Sequence, residues 1–156
     1  MVIKWKQLFL CVAIPLTVGG LSALLTRSGM EQFATLRQPP LSPPGWLFPV
    51  VWTLLYTLMG IASCIVLSSG KPRAAVRTAL AVYGTQLIVN FFWSIIFFNM
   101  ERYLFAFGWL LLLWVLILLT ILLFRALSKT AARLMVPYLL WVTFAGYLNF
   151  GVWLLN

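Results

Sequence analysis

Residues 103–124 read YLFAFGWLLLLWVLILLTILLF, a run of 22 residues without a charged side chain between Arg102 and Arg125. A helix needs about 20 apolar residues to cross the ~30 Å hydrocarbon core of a bilayer. Because no water is available inside the bilayer, a segment that crosses it must be helical to pair its own backbone groups. This stretch therefore predicts a transmembrane helix.

Four more charge-free stretches cover most of the remaining sequence. They hold 20, 33, 23 and 23 residues, and the longest of them begins with a proline-rich loop. All 11 Lys and Arg residues and both acidic residues lie outside the five stretches. The predicted fold class is an all-α integral membrane protein, a five-transmembrane-helix bundle that forms a single membrane domain over residues 1–156. The predicted spans are residues 5–26, 45–68, 74–98, 103–124 and 130–154.

The connections between these spans are short except for the first, residues 27–42. That loop is expected to contain a short helix at about residues 31–36, before its prolines. The short loops after spans two, three and four predict that consecutive helices are antiparallel neighbours. Span four is almost pure Leu, Ile and Val, which favours a helix that faces lipid or another subunit.

The net charge of +9 is unevenly distributed across the predicted bundle. Three cations and both acids flank one side, and eight cations flank the other: Lys4, Lys6, Lys71, Arg73, Arg77, Arg125, Lys129 and Arg133. This positive-inside bias predicts an inside N-terminus and an outside C-terminus, and it fits a bacterial cell membrane. The cations are interpreted as topology signals and lipid-headgroup contacts, so no nucleic-acid partner is expected. No good cleavage site follows the first apolar run, which is interpreted as a span rather than a signal peptide.

Several kinds of site are disfavoured by residues that the chain lacks. It contains no histidine, which excludes His-ligated haem, a His-containing zinc site and a Ser-His-Asp triad, and no metal site is expected. No Asp, Glu, Lys or Arg lies within the charge-free stretches, which disfavours a proton-coupled antiporter. Cys11 and Cys64, placed in the inner half of the membrane, are interpreted as small apolar core residues. A disulfide is not expected there because the inner side is normally reducing.

Three spans carry polar and aromatic residues at the spacing of one helix face. These residues are Trp52 and Tyr56 on span two, Tyr83, Gln86, Asn90, Trp93 and Phe97 on span three, and Tyr138, Trp141, Ala145 and Asn149 on span five. Amides are costly when they face lipid, so the three faces are expected to point inward. One interpretation is interhelical hydrogen bonding. The other is a cavity in which amides orient a ligand between aromatic walls, and the convergence of three faces favours it.

Three blocks of sequence carry a resemblance to a known family. The blocks are PPGWLFPVVWTLLY at 43–56, QLIVNFFW at 86–93 with Phe97 and Phe98 after it, and PYLLW at 137–141 with LNF at 148–150. Their residues, order and spacing resemble the translocator protein family, also called tryptophan-rich sensory proteins or peripheral-type benzodiazepine receptors. The length of the chain and the number of predicted spans agree with that family.

The resemblance implies a five-helix bundle, commonly a homodimer, with a ligand cavity under the first loop. Members of the family bind porphyrins and other tetrapyrroles, so protoporphyrin IX or haem is the expected ligand. Several members also bind isoquinoline or benzodiazepine drugs and sterols. Some bacterial members promote light- and oxygen-dependent breakdown of protoporphyrin IX, which requires no further cofactor.

The resemblance and the three faces together give a set of candidate site residues. By motif, the cavity would be lined by Trp52, Asn90, Trp93, Trp141, Ala145 and Leu148, and the faces add Tyr56, Gln86 and Tyr138. Trp52 and Trp141 resemble the tryptophan pair linked to the photochemistry and are the candidate catalytic residues. Arg37 is the candidate contact for porphyrin propionates, although a simple position among the lipid headgroups fits it as well.

Two positions depart from the family pattern. Pro40 and Leu41 stand in the stretch before the double proline where the family often has an aromatic residue, commonly tryptophan, so ligand contacts from the loop are in question. Phe150 and Leu154 stand where animal members have the tyrosine and arginine of a sterol-recognition pattern, and high-affinity cholesterol binding is therefore not expected.

Three functions follow as hypotheses. The leading one is a tetrapyrrole-binding sensor or scavenger that can promote photo-oxidative degradation of its ligand. The second is a non-catalytic carrier of porphyrins or lipids across or within the membrane. The third is a structural or regulatory partner protein in which the pocket is incidental.

Overall fold

The computed structural model describes residues 2–156, and every regular element within them is a helix. Five helices are long and apolar enough to cross a membrane, which confirms the predicted fold class. They are α1 (Trp5–Leu25), α3 (Leu47–Leu67), α4 (Arg73–Ser94), α5 (Tyr103–Leu127) and α6 (Lys129–Leu155). A short helix, α2 (Arg27–Phe33), follows α1, and a π-helical segment (Ile95–Asn99) extends α4. Each long helix begins and ends within a few residues of its predicted span.

The short helix of the first loop lies earlier than predicted. It was expected at residues 31–36 and instead begins directly after α1, because helical hydrogen bonding continues through the junction at Thr26. The Thr26 N–H donates to the Ser22 carbonyl at 3.0 Å, and the Met30 N–H donates to the Thr26 carbonyl at 2.9 Å. After Phe33 the chain makes tighter three-residue turns and then reaches its prolines, which end the helix.

The five long helices form a ring in the order α1, α3, α6, α5, α4. The prediction that consecutive helices are neighbours is confirmed for α4–α5 and α5–α6, whereas α3 and α4 meet only as sparsely as α1 and α4, the pair that closes the ring. Helix α3 packs instead on α1 and α6. Gly19 and Gly60 explain the place of α1: Gly19 lies against the ring of Tyr56, and Gly60 lies against the backbone of α1 at Val12. Small residues let helices approach closely in this way.

Helix α5 has a core face that its sequence conceals. The expectation that this span faces lipid or a subunit is wrong for one side of it, which packs against α4 and α6. The buried residues on that side are Ala106, Leu110, Leu113, Ile117, Thr120 and Phe124. Apolar residues cover the whole helix, so no contrast in polarity marks the inward face.

The π-helical segment joins α4 to the junction of α1 and α2. Its wider turn is closed by the Met100 N–H, which donates to the Ile95 carbonyl at 3.0 Å. Asn99 donates from its side-chain amide to the Leu25 carbonyl at 2.9 Å, which pairs a backbone group at the end of α1. Gly29 of α2 lies directly on the Phe98 carbonyl, where a Cβ atom would come within 2.5 Å of the oxygen.

The loop from residue 34 to 46 is attached to the C-terminal half of α6. The Tyr147 hydroxyl donates to the Pro40 carbonyl at 2.7 Å, and Pro39 is buried against Gly151. The Asn156 side chain makes two reciprocal bonds with the backbone of Arg37, accepting from its N–H at 3.2 Å and donating to its carbonyl at 2.8 Å. The loop therefore spans the end of the bundle between α6 and the start of α3.

Removing the Tyr147 hydroxyl is expected to loosen this loop. A lost hydrogen bond of about 1 kcal/mol corresponds to roughly fivefold faster local opening. In Tyr147→Phe, amide hydrogen exchange should therefore accelerate by roughly that factor in peptides covering residues 34–42, with little change in α5. Tyr103→Phe is the control, since the Tyr103 hydroxyl makes no hydrogen bond within residues 2–156. Equal exchange in both variants and the wild type would show that the bond does not hold the loop.

Candidate functional site

The predicted faces of α3, α4 and α6 meet at the centre of the ring. The Tyr138 hydroxyl donates to Gln86 Oε1 at 2.7 Å, and Asn90 Nδ2 donates to the Tyr138 oxygen at 2.8 Å. A longer bond of 3.5 Å joins the Tyr56 hydroxyl to Asn90 Oδ1. All four side chains are buried, with at most 6% of their surface exposed. Four predicted site residues on three helices thus form one hydrogen-bonded network.

Trp52 extends this network with an aromatic wall. Its ring stacks on Tyr56, with centroids 5.4 Å apart, and meets Tyr138 edge to face at 6.2 Å. Such offset and edge-on arrangements are the favourable geometries for aromatic pairs. Trp52 itself is only half-buried. One of its sides is therefore held by the hydroxyl-bearing rings, and the remainder of its surface is accessible.

Trp93 belongs to a second network nearer the end of α4. Its indole N–H donates to Asn149 Oδ1 at 3.1 Å, and Asn149 Nδ2 donates to the Tyr103 carbonyl at 2.8 Å. The Trp93 ring stacks on Phe97 with centroids 5.2 Å apart. Asn149 was on the predicted inward face of α6 but was not among the candidate ligand residues. The donor and the acceptor of its side-chain amide are both paired within the protein.

Three further candidates lie on α6. Ala145 and Leu148 are buried on the inward side, as the predicted face requires. Trp141 is half-buried, with its ring 5.9 Å from that of Phe48 and 5.6 Å from that of Phe144. Its indole N–H is enclosed, yet it has no hydrogen-bond acceptor within residues 2–156. A buried donor without an acceptor costs about 1–3 kcal/mol, so this group stands out from the paired amides around it.

Arg37 is separate from the other candidates. It lies exposed on the loop, and its hydrogen bonds run from its backbone to Asn156. The structure thus brings together nine of the ten candidates on α3, α4 and α6 and leaves Arg37 at the end of the bundle.

Sequence reasoning missed two residues that shape the site. Phe48 packs on Trp141, and Met59 receives a weak contact from Gln86 Nε2 at 3.9 Å. Phe48 is one helical turn before Trp52 on the same face of α3, so extending the predicted stripe by one turn would have found it. Met59 carries no polar signal that distinguishes it from an ordinary core residue.

The candidate residues pack against one another, and two surface clefts lie elsewhere. One, of about 530 Å³, lies at the start of α5 between Tyr103 and Trp153. The other, of about 500 Å³, lies between α5 and α6 around Trp114 and Gly146. None of the ten candidate residues lines either cleft. A cavity among the candidates therefore stays a prediction, while the hydrogen-bonded interior they form is observed.

A comparison with known families identifies the lineage of this arrangement. The model of the TspO/MBR family matches residues 11–154, which include nearly all of the five long helices and all of the candidate residues. The chain belongs to the TspO/MBR family. The resemblance drawn from the three sequence blocks is thereby confirmed.

Curated relatives of this TspO/MBR member include bacterial and animal proteins. The chain is 41% identical to the tryptophan-rich protein TspO of Chlorobaculum tepidum over 96% of its own length and 95% of the relative's. It is 39% identical to protein CrtK of Rhodobacter capsulatus, covering 80% and 78% of the two chains. It is 35% identical to the translocator protein of Bos taurus, covering 90% and 84%. Together with the five apolar helices, TspO/MBR membership establishes an integral membrane protein.

Proposed function

We propose that this protein binds a tetrapyrrole of the protoporphyrin IX or haem type between α3, α4 and α6, as a sensor or scavenger. We further propose that it promotes light- and oxygen-dependent degradation of a bound porphyrin, with Trp52 and Trp141 as the photochemically active residues. Membership of the TspO/MBR family and the five apolar helices support a membrane role of this kind. The ligand and the chemistry are the proposal.

The observation that carries the proposal is the unpaired indole N–H of Trp141. It is enclosed at the α3–α6 side of the site while every neighbouring amide has a protein partner. A ligand that places an acceptor atom at this point would satisfy the donor. Porphyrins offer such acceptors in their propionates and pyrrole nitrogens. Phe48 and Trp52 supply aromatic surface beside it, which suits a planar macrocycle.

The proposed photochemistry needs only the pigment, indole and dioxygen. An excited porphyrin held against Trp52 or Trp141 can take one electron from the indole, and dioxygen can take that electron, which regenerates the porphyrin and leaves superoxide beside the indole radical cation. These two products then oxidise the macrocycle that lies between them. Both tryptophans are half-buried, so each has surface free to meet a ligand. Arg37, exposed on the loop, is the proposed partner for propionates at the membrane surface.

The test is a titration of the purified protein in detergent with protoporphyrin IX, first in darkness and then under illumination. Saturable quenching of tryptophan fluorescence is expected, followed by a new product in the visible spectrum under light. Trp141→Phe should weaken binding roughly fivefold, the effect of one lost hydrogen bond of about 1 kcal/mol. Trp153→Phe, at an exposed position of α6, is the control and should bind as the wild type does. Quenching that never saturates would contradict the proposal.

The carrier hypothesis is the alternative outcome of the same experiment. If quenching saturates and the pigment survives illumination unchanged, the photochemical part of the proposal is wrong. Transport of intact porphyrin into sealed vesicles in darkness would then identify a carrier. Isoquinoline and benzodiazepine ligands would be tested by competition with bound porphyrin.

The proposal also includes a homodimer in a bacterial cell membrane, with the N-terminus inside. The eight cations near one end of the bundle motivate that orientation. Native mass spectrometry of the detergent-solubilised protein tests the oligomeric state. Labelling of single cysteines placed at each terminus in intact cells tests the orientation.

A further inference from the structure

Helices α1 and α3 bring the two cysteines of the chain together. Cys11 of α1 lies beside the side chains of Ser63 and Cys64 on α3. Cys64 is completely buried, whereas Cys11 is half-buried on the most exposed helix of the bundle. Both thiols are free. One thiol is thus sealed in the interface, and the other borders the lipid.

The backbones of the two helices approach each other closely at Gly60, one turn before Cys64. A Cβ atom on Gly60 would lie 2.5 Å from Val12 Cα and 2.6 Å from the Cys11 carbonyl oxygen. The helices are antiparallel, since Gly60 meets Val12 while Tyr56, one turn earlier, meets Gly19. In an α-helix each Cα–Cβ bond tilts toward the N-terminus. Cys11 therefore leans toward the level of Cys64, and Cys64 leans back toward the level of Cys11.

We propose that Cys11 and Cys64 form a redox-active pair that closes to a disulfide between α1 and α3 when a hydroperoxide, such as a lipid hydroperoxide of the surrounding bilayer, is present. The Cys11 sulfur attacks one peroxide oxygen, the O–O bond breaks, and the thiol proton leaves with the departing oxygen as an alcohol. The Cys64 sulfur then attacks the Cys11 sulfenic acid. The S–S bond forms, and the hydroxyl leaves as water with the Cys64 proton. In sum, two thiols and one hydroperoxide give one disulfide, one alcohol and one water.

The different burial of the two thiols assigns their order of reaction. Cys11 borders the bilayer and can meet an oxidant dissolved there, so it reacts first. Cys64 has no exposed surface and resolves the sulfenic acid from within the interface. The predicted inner-membrane position keeps both thiols reduced at rest, since that side is normally reducing. The pair is therefore a reversible site rather than a permanent structural disulfide.

The experiment uses the full chain in lipid nanodiscs, one protein per disc, treated with tert-butyl hydroperoxide and then denatured. Free thiols are counted with a maleimide–polyethylene glycol label. After the treatment, neither thiol of the wild type should take up the label. After reduction with dithiothreitol, both thiols should take it up again. The non-reduced digest should contain the Cys11 and Cys64 peptides joined. Retention of both labels after exhaustive treatment, or a loss that dithiothreitol does not reverse, would overturn the proposal.

Three variants separate closure of the pair from independent oxidation. Cys11→Ser should keep its remaining buried thiol labelled after treatment, because nothing reacts first. Cys64→Ser should lose its label without forming a linked peptide. The matched control is Cys64→Ser with Leu67→Cys, which moves the second thiol to an exposed position of α3 in the same half of the helix. If that control closes as readily as the wild type, the specific facing of Cys11 and Cys64 is not the cause. No porphyrin is involved, so the outcome is independent of the proposed ligand.

Discussion

The double variant Trp52→Phe with Trp141→Phe is expected to bind protoporphyrin IX and to lose its light-dependent degradation. Phenylalanine keeps an aromatic face at both positions, so the contacts of Trp52 with Tyr56 and of Trp141 with Phe48 are largely preserved. What is lost is the indole, which gives up an electron far more readily than a phenyl ring. The rate of pigment loss should fall to that of protoporphyrin illuminated without protein.

Single variants divide this effect between the two tryptophans. Trp141→Phe also removes the unpaired N–H donor, so it should weaken binding as well as the photochemistry. Trp52→Phe should leave affinity nearly unchanged and reduce the rate alone. Rates must therefore be compared at saturating pigment, followed by the decay of its visible absorption under constant illumination.

Trp114→Phe is the matched control for a tryptophan deep in the membrane. Trp114 is half-buried on α5 and donates to Thr143 at 2.9 Å, outside the candidate site. This variant should degrade porphyrin at the wild-type rate. If the double variant also retains the wild-type rate, the photochemical role of Trp52 and Trp141 is wrong, whatever the titration has shown about binding.

The spans could be predicted from the distribution of charge because the bilayer imposes a simple constraint. A charged side chain is expensive in the hydrocarbon core, and an unpaired backbone group is expensive as well. Long charge-free stretches must therefore be helices of at least the thickness of the core. Helix α3 (Leu47–Leu67) falls within the predicted 45–68, and α6 (Lys129–Leu155) extends the predicted 130–154 by one residue at each end.

The network of Gln86, Asn90 and Tyr138 could be predicted for a related reason. A polar group on an otherwise apolar helix is unfavourable against lipid and is expected to face the other helices. The spacing of the polar residues along each helix indicates which face that is. The two interpretations left open by the sequence are not equally tested. Interhelical hydrogen bonding is observed at 2.7–2.8 Å between these residues. A ligand-filled cavity between them stays a prediction.

Other features of the fold could not be predicted from the periodicity of the sequence. The inward face of α5 does not differ in polarity from its outward face. The order of the helices in the ring depends on the close packing of α1 against Gly60 of α3. The bond from Tyr147 to Pro40 joins residues 107 positions apart, and neither residue carries a local signal of the other. The π-helical segment arises where Asn99 reaches α1, which is again a tertiary contact. Each of these depends on which helices meet, and that is decided by packing between them.

Gly60→Leu is expected to be the most destabilising single substitution among the glycines of the long helices. A Cβ atom there would come within 2.5–2.6 Å of Val12 Cα and the Cys11 carbonyl oxygen, which are backbone atoms and cannot rotate away. Helix α1 would have to move as a unit, and few of its own side chains anchor it, since Pro15 and Ser22 are the buried residues of α1. Overpacking of a core lowers the free energy of unfolding by about 1–3 kcal/mol when side chains can adjust. An obstruction by backbone atoms is expected to lower it by at least the upper value. An unfolding temperature lower by roughly 6–12 °C follows for a chain of this length.

Gly108→Leu provides the control that isolates the contact from the residue type. Gly108 is also a glycine within a membrane-spanning helix, but a Cβ atom on it would meet nothing within 4 Å. A leucine side chain there would lie on the lipid-facing surface, where an apolar group is favourable. The unfolding temperature, measured by circular dichroism in detergent, should therefore stay at the wild-type value. Equal melting of both variants would mean that α1 is not held against α3 through Gly60. A lower unfolding temperature in Gly60→Leu alone would instead identify this close approach as the contact that fixes α1 in the ring. The same contact keeps Gly19 of α1 against the ring of Tyr56.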